Sequence, residues 1–260
     1  MKHWRTALAG LLALLATGFA LVWFLPARWA LPLFSSRLNG VRLEQVSGLL
    51  WDGRAGRVIS ARGEPLGEAS WRLSRRALLG DNRLQLALHG PQLDFSGHMR
   101  GRSAAAAEWT QVSLRTDLGL FAPLVTLPVG QPRGQLRFDA RRVQLRGGWP
   151  MALDGQLLWR DATLLTARNG TLPLGNLRMT VQASNGVLDG HLQDDGEGPL
   201  RIDGRLQLSP LARRFTADAA ARDPASPLQR WLSGLGDTDE HGVTHINYSG
   251  GLAAAMNGGR

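Results

Sequence analysis

Residues 200–208 read LRIDGRLQL, with Leu200, Ile202, Leu206 and Leu208 sharing one parity across Gly204 and Arg201, Asp203, Arg205 and Gln207 sharing the other. An apolar residue at every second position is the period of a β-strand with one buried face, because successive side chains leave an extended backbone on opposite sides. The parity runs straight through Asp203-Gly204. The stretch therefore reads as one strand bent at a glycine rather than two strands and a turn.

The same alternation spreads outward from this strand. Leu177, Met179, Val181 and Ala183 alternate with Asn176, Arg178, Thr180 and Gln182, Leu84, Leu86 and Leu88 with Arg83, Gln85 and Ala87, and Leu136 and Phe138 with Gln135, Arg137 and Asp139. Shorter versions occur at 41–46, 69–73, 93–95, 112–114, 143–145, 157–159 and 244–248. Turn signals such as Asn39-Gly40, Asp52-Gly53, Gly90-Pro91, Gly147-Gly148 and Asn185-Gly186 separate many of them. A weak repeat, apolar-Asp-Gly-polar-Leu, begins at Leu153, Leu188 and Ile202. Helical material is scarce: one short turn over 118–125, and the stretch 210–235, which Pro224 and Pro227 divide into an Ala-rich piece and a short amphipathic piece around Leu228–Leu232. The expected fold is all-β: a long, curved, mostly antiparallel sheet, as a half-pipe or sandwich, with a short helical segment near the C-terminus. With so few helices, the sheet must bury its own apolar face.

Ahead of the sheet, Thr6–Leu25 reads TALAGLLALLATGFALVWFL and carries no charge. About 20 apolar residues at about 1.5 Å each match a hydrocarbon core of about 30 Å. Trp4, Trp23 and Trp29 stand at the two ends, where indole rings favour the membrane interface, and Lys2 and Arg5 before the run favour a cytoplasmic N-terminus. Arg28 and Arg37 follow the run without reversing that orientation. A cleaved signal peptide fits less well, since the run exceeds the usual h-region of about 7–15 residues and no good small-x-small site follows it. The expected organisation is a cytoplasmic N-terminus (1–5), a transmembrane anchor (6–25), a linker (26–39), a periplasmic β-rich domain (40–250) and a disordered tail (251–260).

Composition narrows the chemistry. The chain has no cysteine, which excludes disulfides, thiol catalysis and Cys-based zinc sites. Its formal charge of +9 invites a nucleic-acid reading, but the arginines are scattered singly or in pairs such as Arg75-Arg76 and Arg213-Arg214, and no basic run is interleaved with aromatics. Nucleic acid is not an expected partner. Hydrophobic residues at 43% and charged ones at 20% describe a folded chain.

No catalytic constellation stands out. His241 and His245 at i, i+4 would suit a metal on a helix, but the surrounding residues spell a strand, which sets them far apart on one face. Asp94, His98 and a serine can be arranged as a triad only on paper, since no G-x-S-x-G elbow is present. Asp194-Asp195-Gly196-Glu197-Gly198 lacks the ligand spacing of a calcium loop and reads as a solvated turn. The chain is expected to be non-enzymatic, with no cofactor and no metal. Nine tryptophans against one tyrosine point to packing, with Trp51, Trp71, Trp109, Trp149 and Trp159 in or beside strands. A sharper alternative is an apolar groove lined by Leu177, Met179, Val181, Leu200 and Ile202 and offered to a partner strand or an acyl chain.

The order of features resembles the type II secretion system protein N family over nearly the whole chain. The cues are the anchor ending in Leu25-Pro26-Ala27-Arg28-Trp29, the run from Val46 to Ala55 (VSGLLWDGRA), Trp71-Arg72-Leu73, and Leu232-Ser233-Gly234-Leu235-Gly236 before a last strand closing at Gly250. In the second run Val46, Ser47, Gly48, Trp51, Gly53 and Ala55 match the family's V-S-G-x-x-W-x-G-x-A pattern, and Trp71 and Leu73 match a Trp-x-Leu strand. These are structural motifs, not catalytic ones. The resemblance implies an accessory or assembly subunit of the inner membrane that touches other type II secretion subunits, on the platform or secretin side. The fold also resembles AsmA-type β-groove proteins, which makes lipid handling in the periplasm the alternative expectation.

Overall fold

A computed structural model of the chain describes residues 23–29, 40–103, 106–121 and 130–251. The expected N-terminus with Lys2, Trp4 and Arg5, residues 6–22 of the expected anchor, 30–39 of the linker and 252–260 of the expected tail lie outside the described residues, while Gly251, expected in the tail, ends the last strand. Among the described residues no helix is long and apolar enough to cross a membrane. Two compact units are present, one within Met1–Pro91 and one within Gln92–Arg260.

In the first unit β1 (Arg42–Gly48), β2 (Asp52–Ile59), β3 (Pro65–Leu73) and β4 (Asn82–His89) pair in sequence order, each antiparallel to the last. A 3₁₀ turn, Arg75–Leu79, joins β3 to β4. The core of this unit is Ala55, Val58 and Ala69, with Val46, Leu66, Trp71 and Leu88 packed against it.

The second unit strings β5 (Leu93–Ser103), β6 (Ala106–Asp117), β7 (Gln131–Arg146), β8 (Trp149–Thr166), β9 (Gly170–Ser184), β10 (Val187–Asp194), β11 (Leu200–Leu208) and β12 (Ala212–Ala221) side by side. Helix α1 (Pro227–Leu232) and the two-residue β13 (Asp237–Thr238) follow. The final strand, β14 (Thr244–Gly251), then inserts between β12 and β13. The pairings are antiparallel, and the alternation assigns the faces. On one face Leu157, Met179, Leu192, Gly204, Ala217 and Ile246 form a row across β8, β9, β10, β11, β12 and β14.

The three Asp-Gly copies all lie inside strands, in β8, β10 and β11. In each, the carboxylate goes to the polar face and the glycine to the apolar one, where a neighbouring side chain lies over it. A Cβ on Gly155 would sit 3.1 Å from the Phe138 ring, one on Gly190 3.2 Å from Met179 Sδ, and one on Gly204 3.4 Å from the Phe215 ring. The glycine leaves room for its neighbour to fold down onto the strand. Asp161 marks a bulge in β8: its φ is +50°, the register slips around it, and its N–H donates to Asn176 Oδ1 at 3.0 Å.

Two expectations change. The Ala-rich piece expected to be helical is strand β12, where Phe215, Ala217 and Ala219 pair with Leu206, Gly204 and Ile202. Helix propensity is worth only tenths of a kcal/mol per residue and gives way when a flanked strand completes two ladders. The amphipathic piece does form α1. Ser226 caps it by accepting from the Gln229 N–H, Pro227 occupies its first turn, and Leu228 and Leu232 are buried. The short turn expected over 118–125 is a 3₁₀ turn at Leu118–Phe121.

Candidate functional site

The family-like residues converge at the β1–β2 hairpin. Gly48 and Gly53 face each other across it, Val46 faces Ala55, and on the other side of β2 Gly53 and Ala55 face Trp71 and Ala69. The hairpin closes with Leu49 N–H on Asp52 O at 2.9 Å and Asp52 N–H on Leu49 O at 3.2 Å. Gly48 has φ +86°, and a Cβ there would lie 2.6 Å from the Asp52 carbonyl oxygen, so this corner needs a glycine. Gly53 lies beneath the Trp71 indole, whose Nε1–H donates to Leu50 O at 3.0 Å. Trp51 is buried, and its carbonyl accepts from the Leu73 N–H at 2.7 Å. Ser47 accepts from Arg54 Nε at 3.1 Å on the outer face.

The same turn receives the chain arriving from the N-terminal run. Leu50 N–H donates to Leu25 O at 2.9 Å, Pro26 and Leu49 form an antiparallel bridge, and Ala27 is buried. Residues 49–51 are thus spliced by backbone hydrogen bonds to the 25–26 segment and to β3 at once. Trp23 is helical but Leu25 is already outside any helix, its carbonyl committed to the splice. Sequence reading singled out the motif but missed this partner, because Leu25-Pro26 carries no strand pattern.

The expected groove residues share a face, but they do not line an open channel. Leu177, Leu200 and Ile202 are buried in one cluster with Leu228 and Leu232 of α1, which covers this end of the sheet. Gln229 stitches the helix down: its Oε1 accepts from Ala221 N–H at 2.9 Å and its Nε2–H donates to Gly242 O at 2.9 Å. Val181 is buried as well, and Met179 is half-buried.

The acidic turn after β10 is exposed at Asp195–Glu197, as expected, and it is also organised. Asp194 lies on the apolar face with its side chain only 10% exposed, forms an ion pair with Arg222 and accepts from Ile202 N–H at 2.8 Å. Asp195 accepts from Asn176, Glu197 and Gly198. These bonds, Asn176 first, hold its carboxyl below the ordinary range.

On the polar face of the second unit Arg115, Arg137, Leu158, Arg178, Gln193, Asp203, Asp218 and His245 face one another in succession across β6 to β14. Directly opposed like charges destabilise a sheet unless neutralised. Asp139 meets Arg137 at 2.6 Å and accepts from Ser113 at 2.8 Å. Its burial opposes ionisation, but those two hydrogen bonds and the arginine charges outweigh it and lower its pKa. His191 stands 3.0 Å from Asp203, and His245 stands 2.7 Å from Asp218 and 3.6 Å from Asp239. His241 is not on the strand with His245, as was expected; it lies in the turn before β14. Among the described residues no group of three or more acidic or histidine side chains is placed to hold a metal ion. Asp94, Ser96 and His98 lie along β5 and pair across to Arg115, Ser113 and Thr110 of β6.

These features define a class: a protein of long antiparallel sheets whose distinctive residues serve backbone splicing and packing. Residues 39–247 match the family model of type II secretion system (T2SS) protein N, and the chain belongs to that family. It is 26% identical over 257 residues to the type II secretion system protein N of Aeromonas hydrophila, a match covering 95% of this chain and 98% of the relative. No solved structure is a significant match. The family gives the chain a role in type II secretion.

Proposed function

We propose that this protein is an accessory or assembly subunit of the type II secretion system, held in the inner membrane by an anchor over Thr6–Leu25 with its β-rich domain in the periplasm. It supports the export of folded proteins through non-covalent contacts with other secretion subunits. The observation that carries this reading is the splice at Leu49–Trp51. The motif most characteristic of the family grips the chain directly after the apolar run, as a subunit must if its position relative to the membrane matters. A mobile tether would need no such grip. The sealing of Leu177, Leu200 and Ile202 by α1 favours a self-contained scaffold, and the alternative expectation of a lipid-handling groove finds no support.

The test is crosslinking in intact membranes followed by affinity isolation, alongside a secretion assay in a strain lacking the gene. Recovery of secretion subunits together with reduced export is the expected outcome. Unchanged export with no secretion component recovered would remove the proposal.

A further inference from the structure

The 3₁₀ turn between β3 and β4 carries two leucines that the fold leaves in solvent: Leu78 is 52% exposed and Leu79 is 88% exposed. The turn is firmly built. Ser74 caps it by accepting from the Arg76 N–H at 3.2 Å, and Gly80, at φ +86°, closes it by donating to Ala77 O at 3.0 Å. Its base is fixed by Ser74 N–H on Arg83 O at 2.8 Å. A turn held this well has a defined orientation, and its apolar tip points away from the core.

The other end of the turn identifies what covers that tip. The Arg75 guanidinium lies 4.4 Å from the centre of the Trp23 ring. Trp23 belongs to the last residues of the uncharged run Thr6–Leu25, followed by exposed Phe24, Arg28 and Trp29. A run of about 20 apolar residues spans a hydrocarbon core of about 30 Å, so its final residues stand at headgroup level. A 3₁₀ turn rises about 2 Å per residue, so Leu78 and Leu79 follow Arg75, the residue that reaches Trp23, by about 6–8 Å along the turn. Arg75 and Arg76 are both exposed, and arginine suits phosphate by charge and by its fork of donors.

We propose that the Arg75–Leu79 turn rests on the membrane surface, with Leu78 and Leu79 in the interfacial layer and Arg75 and Arg76 among lipid phosphates. This inference rests on the anchor reading above. It adds a second contact that fixes the tilt of the first unit relative to the bilayer, which one spanning helix cannot do alone. Amphipathic contacts of this type owe their strength to buried apolar area plus attraction to anionic headgroups.

The chain has no cysteine, so single-site labelling needs no prior substitution. Full-length protein carrying Leu79→Cys, Arg62→Cys or Leu14→Cys, labelled with a polarity-sensitive fluorophore, is reconstituted into vesicles of phosphatidylethanolamine and phosphatidylglycerol. Position 62 is an exposed control in another turn of the same unit, and position 14 probes the anchor. No other protein is present, so shielding at position 79 comes from lipid. The expected result is a blue-shifted probe at 79 quenched by shallow spin-labelled lipids, an aqueous probe at 62, and a probe at 14 quenched by deep ones. Replacing Arg75 and Arg76 by Gln should lower quenching at 79 about threefold or more, given roughly fivefold in partitioning per cation. An aqueous probe at 79 with a deep probe at 14 overturns the turn's membrane contact and leaves the anchor standing. An aqueous probe at 14 removes the anchor and this inference together.

Discussion

The Trp71 indole donates its Nε1–H to the Leu50 carbonyl at 3.0 Å, while the Leu50 N–H donates to the Leu25 carbonyl at 2.9 Å. One peptide turn therefore links the incoming N-terminal segment to the third strand. Trp71→Phe keeps an aromatic ring over Gly53 but leaves the half-buried Leu50 oxygen without its side-chain donor. The expected cost is about 1 kcal/mol, the typical net value of one hydrogen bond. Trp71→Ala also empties the space above Gly53 and should cost about 3 kcal/mol or more. Thermal melts of the detergent-solubilised chain rank the two; Trp71→Phe melting with the parent would show that the hydrogen bond contributes nothing at this corner, and Trp71→Ala melting with Trp71→Phe would show the same of the ring.

Gly53→Ala tests the same contact from below. The added methyl would meet Trp71 Cζ2 at 2.5 Å and the Leu49 carbonyl oxygen at 2.8 Å, and the latter is backbone that cannot swing aside. Overpacking of this kind costs about 1–3 kcal/mol. Gly63→Ala is the comparison for general loss of glycine: a Cβ there meets nothing, though its φ of +89° adds local strain. A tryptophan fluorescence shift in the first variant and none in the second is expected, because Gly53, unlike Gly63, supports an indole.

Asp194 stands on an otherwise apolar face and pairs with Arg222 just past β12, a pair that was not legible in the sequence. Asp194→Asn keeps the size of the side chain but removes the charge that faces Arg222. Breaking a buried pair costs about 3–5 kcal/mol; with Arg222 partly exposed, about 2 kcal/mol is expected. Arg222→Gln should be the harsher change, since it strands the nearly buried Asp194 carboxylate, whereas water reaches the arginine that Asp194→Asn leaves behind. Denaturant midpoints of the single and double variants give the coupling, and strict additivity would show that the pair does not couple the turn after β10 to the end of β12.

The period-two pattern made most of the sheet legible, because each strand has one apolar face and parity survives even bulges. Leu200–Leu208 is a clear case. Parity also showed that Asp203-Gly204 lies within a strand and is not a turn, but it could not reveal that a neighbouring side chain lies over each Asp-Gly glycine, Phe138 on Gly155, Met179 on Gly190 and Phe215 on Gly204. Ala212–Ala221 was misread because alanine favours helix locally and takes part in a strand only when both neighbours supply ladders. At the candidate site the motif glycines and tryptophans were visible, whereas the Leu25–Leu50 splice was not. It is made of backbone groups, and these have no sequence signature.

Leu232 anchors α1 over the sheet and is almost wholly buried, in the cluster that holds Leu177, Leu200 and Ile202. A six-residue helix has no stability of its own, so its position depends on such contacts. Leu232→Ala should cost about 2–5 kcal/mol. It should also raise hydrogen exchange at Leu200–Ile202 and the Ala219–Ala221 end of β12, which share a cluster with the helix, more than along β1–β3. Uniform change in both units would mean the helix does not seal a local face.

His245 provides the pH prediction. Its Nδ1 is 2.7 Å from Asp218 on β12 and its Nε2 is 3.6 Å from Asp239 in the turn before β14; Asp237 lies opposite it on β13, and His241 is on that same turn. The hydrogen bond that the protonated ring donates to Asp218, aided by the negative charge of both carboxylates, raises the His245 pKa above its ordinary value of about 6.5. The folded state thus holds this proton more tightly than the unfolded chain. The contribution is complete below the ordinary histidine pKa and fades as pH climbs through the raised one. Asp239 sets the opposite limit. Backbone N–H groups of Val243 and His241 keep its pKa below the usual carboxylate value, so its share is lost only in stronger acid. His245→Gln should lower the melting temperature at pH 5.5 and bring it close to the parent at pH 8.5. A gap of the same size at both pH values would mean that the charged form of His245 gives the fold nothing.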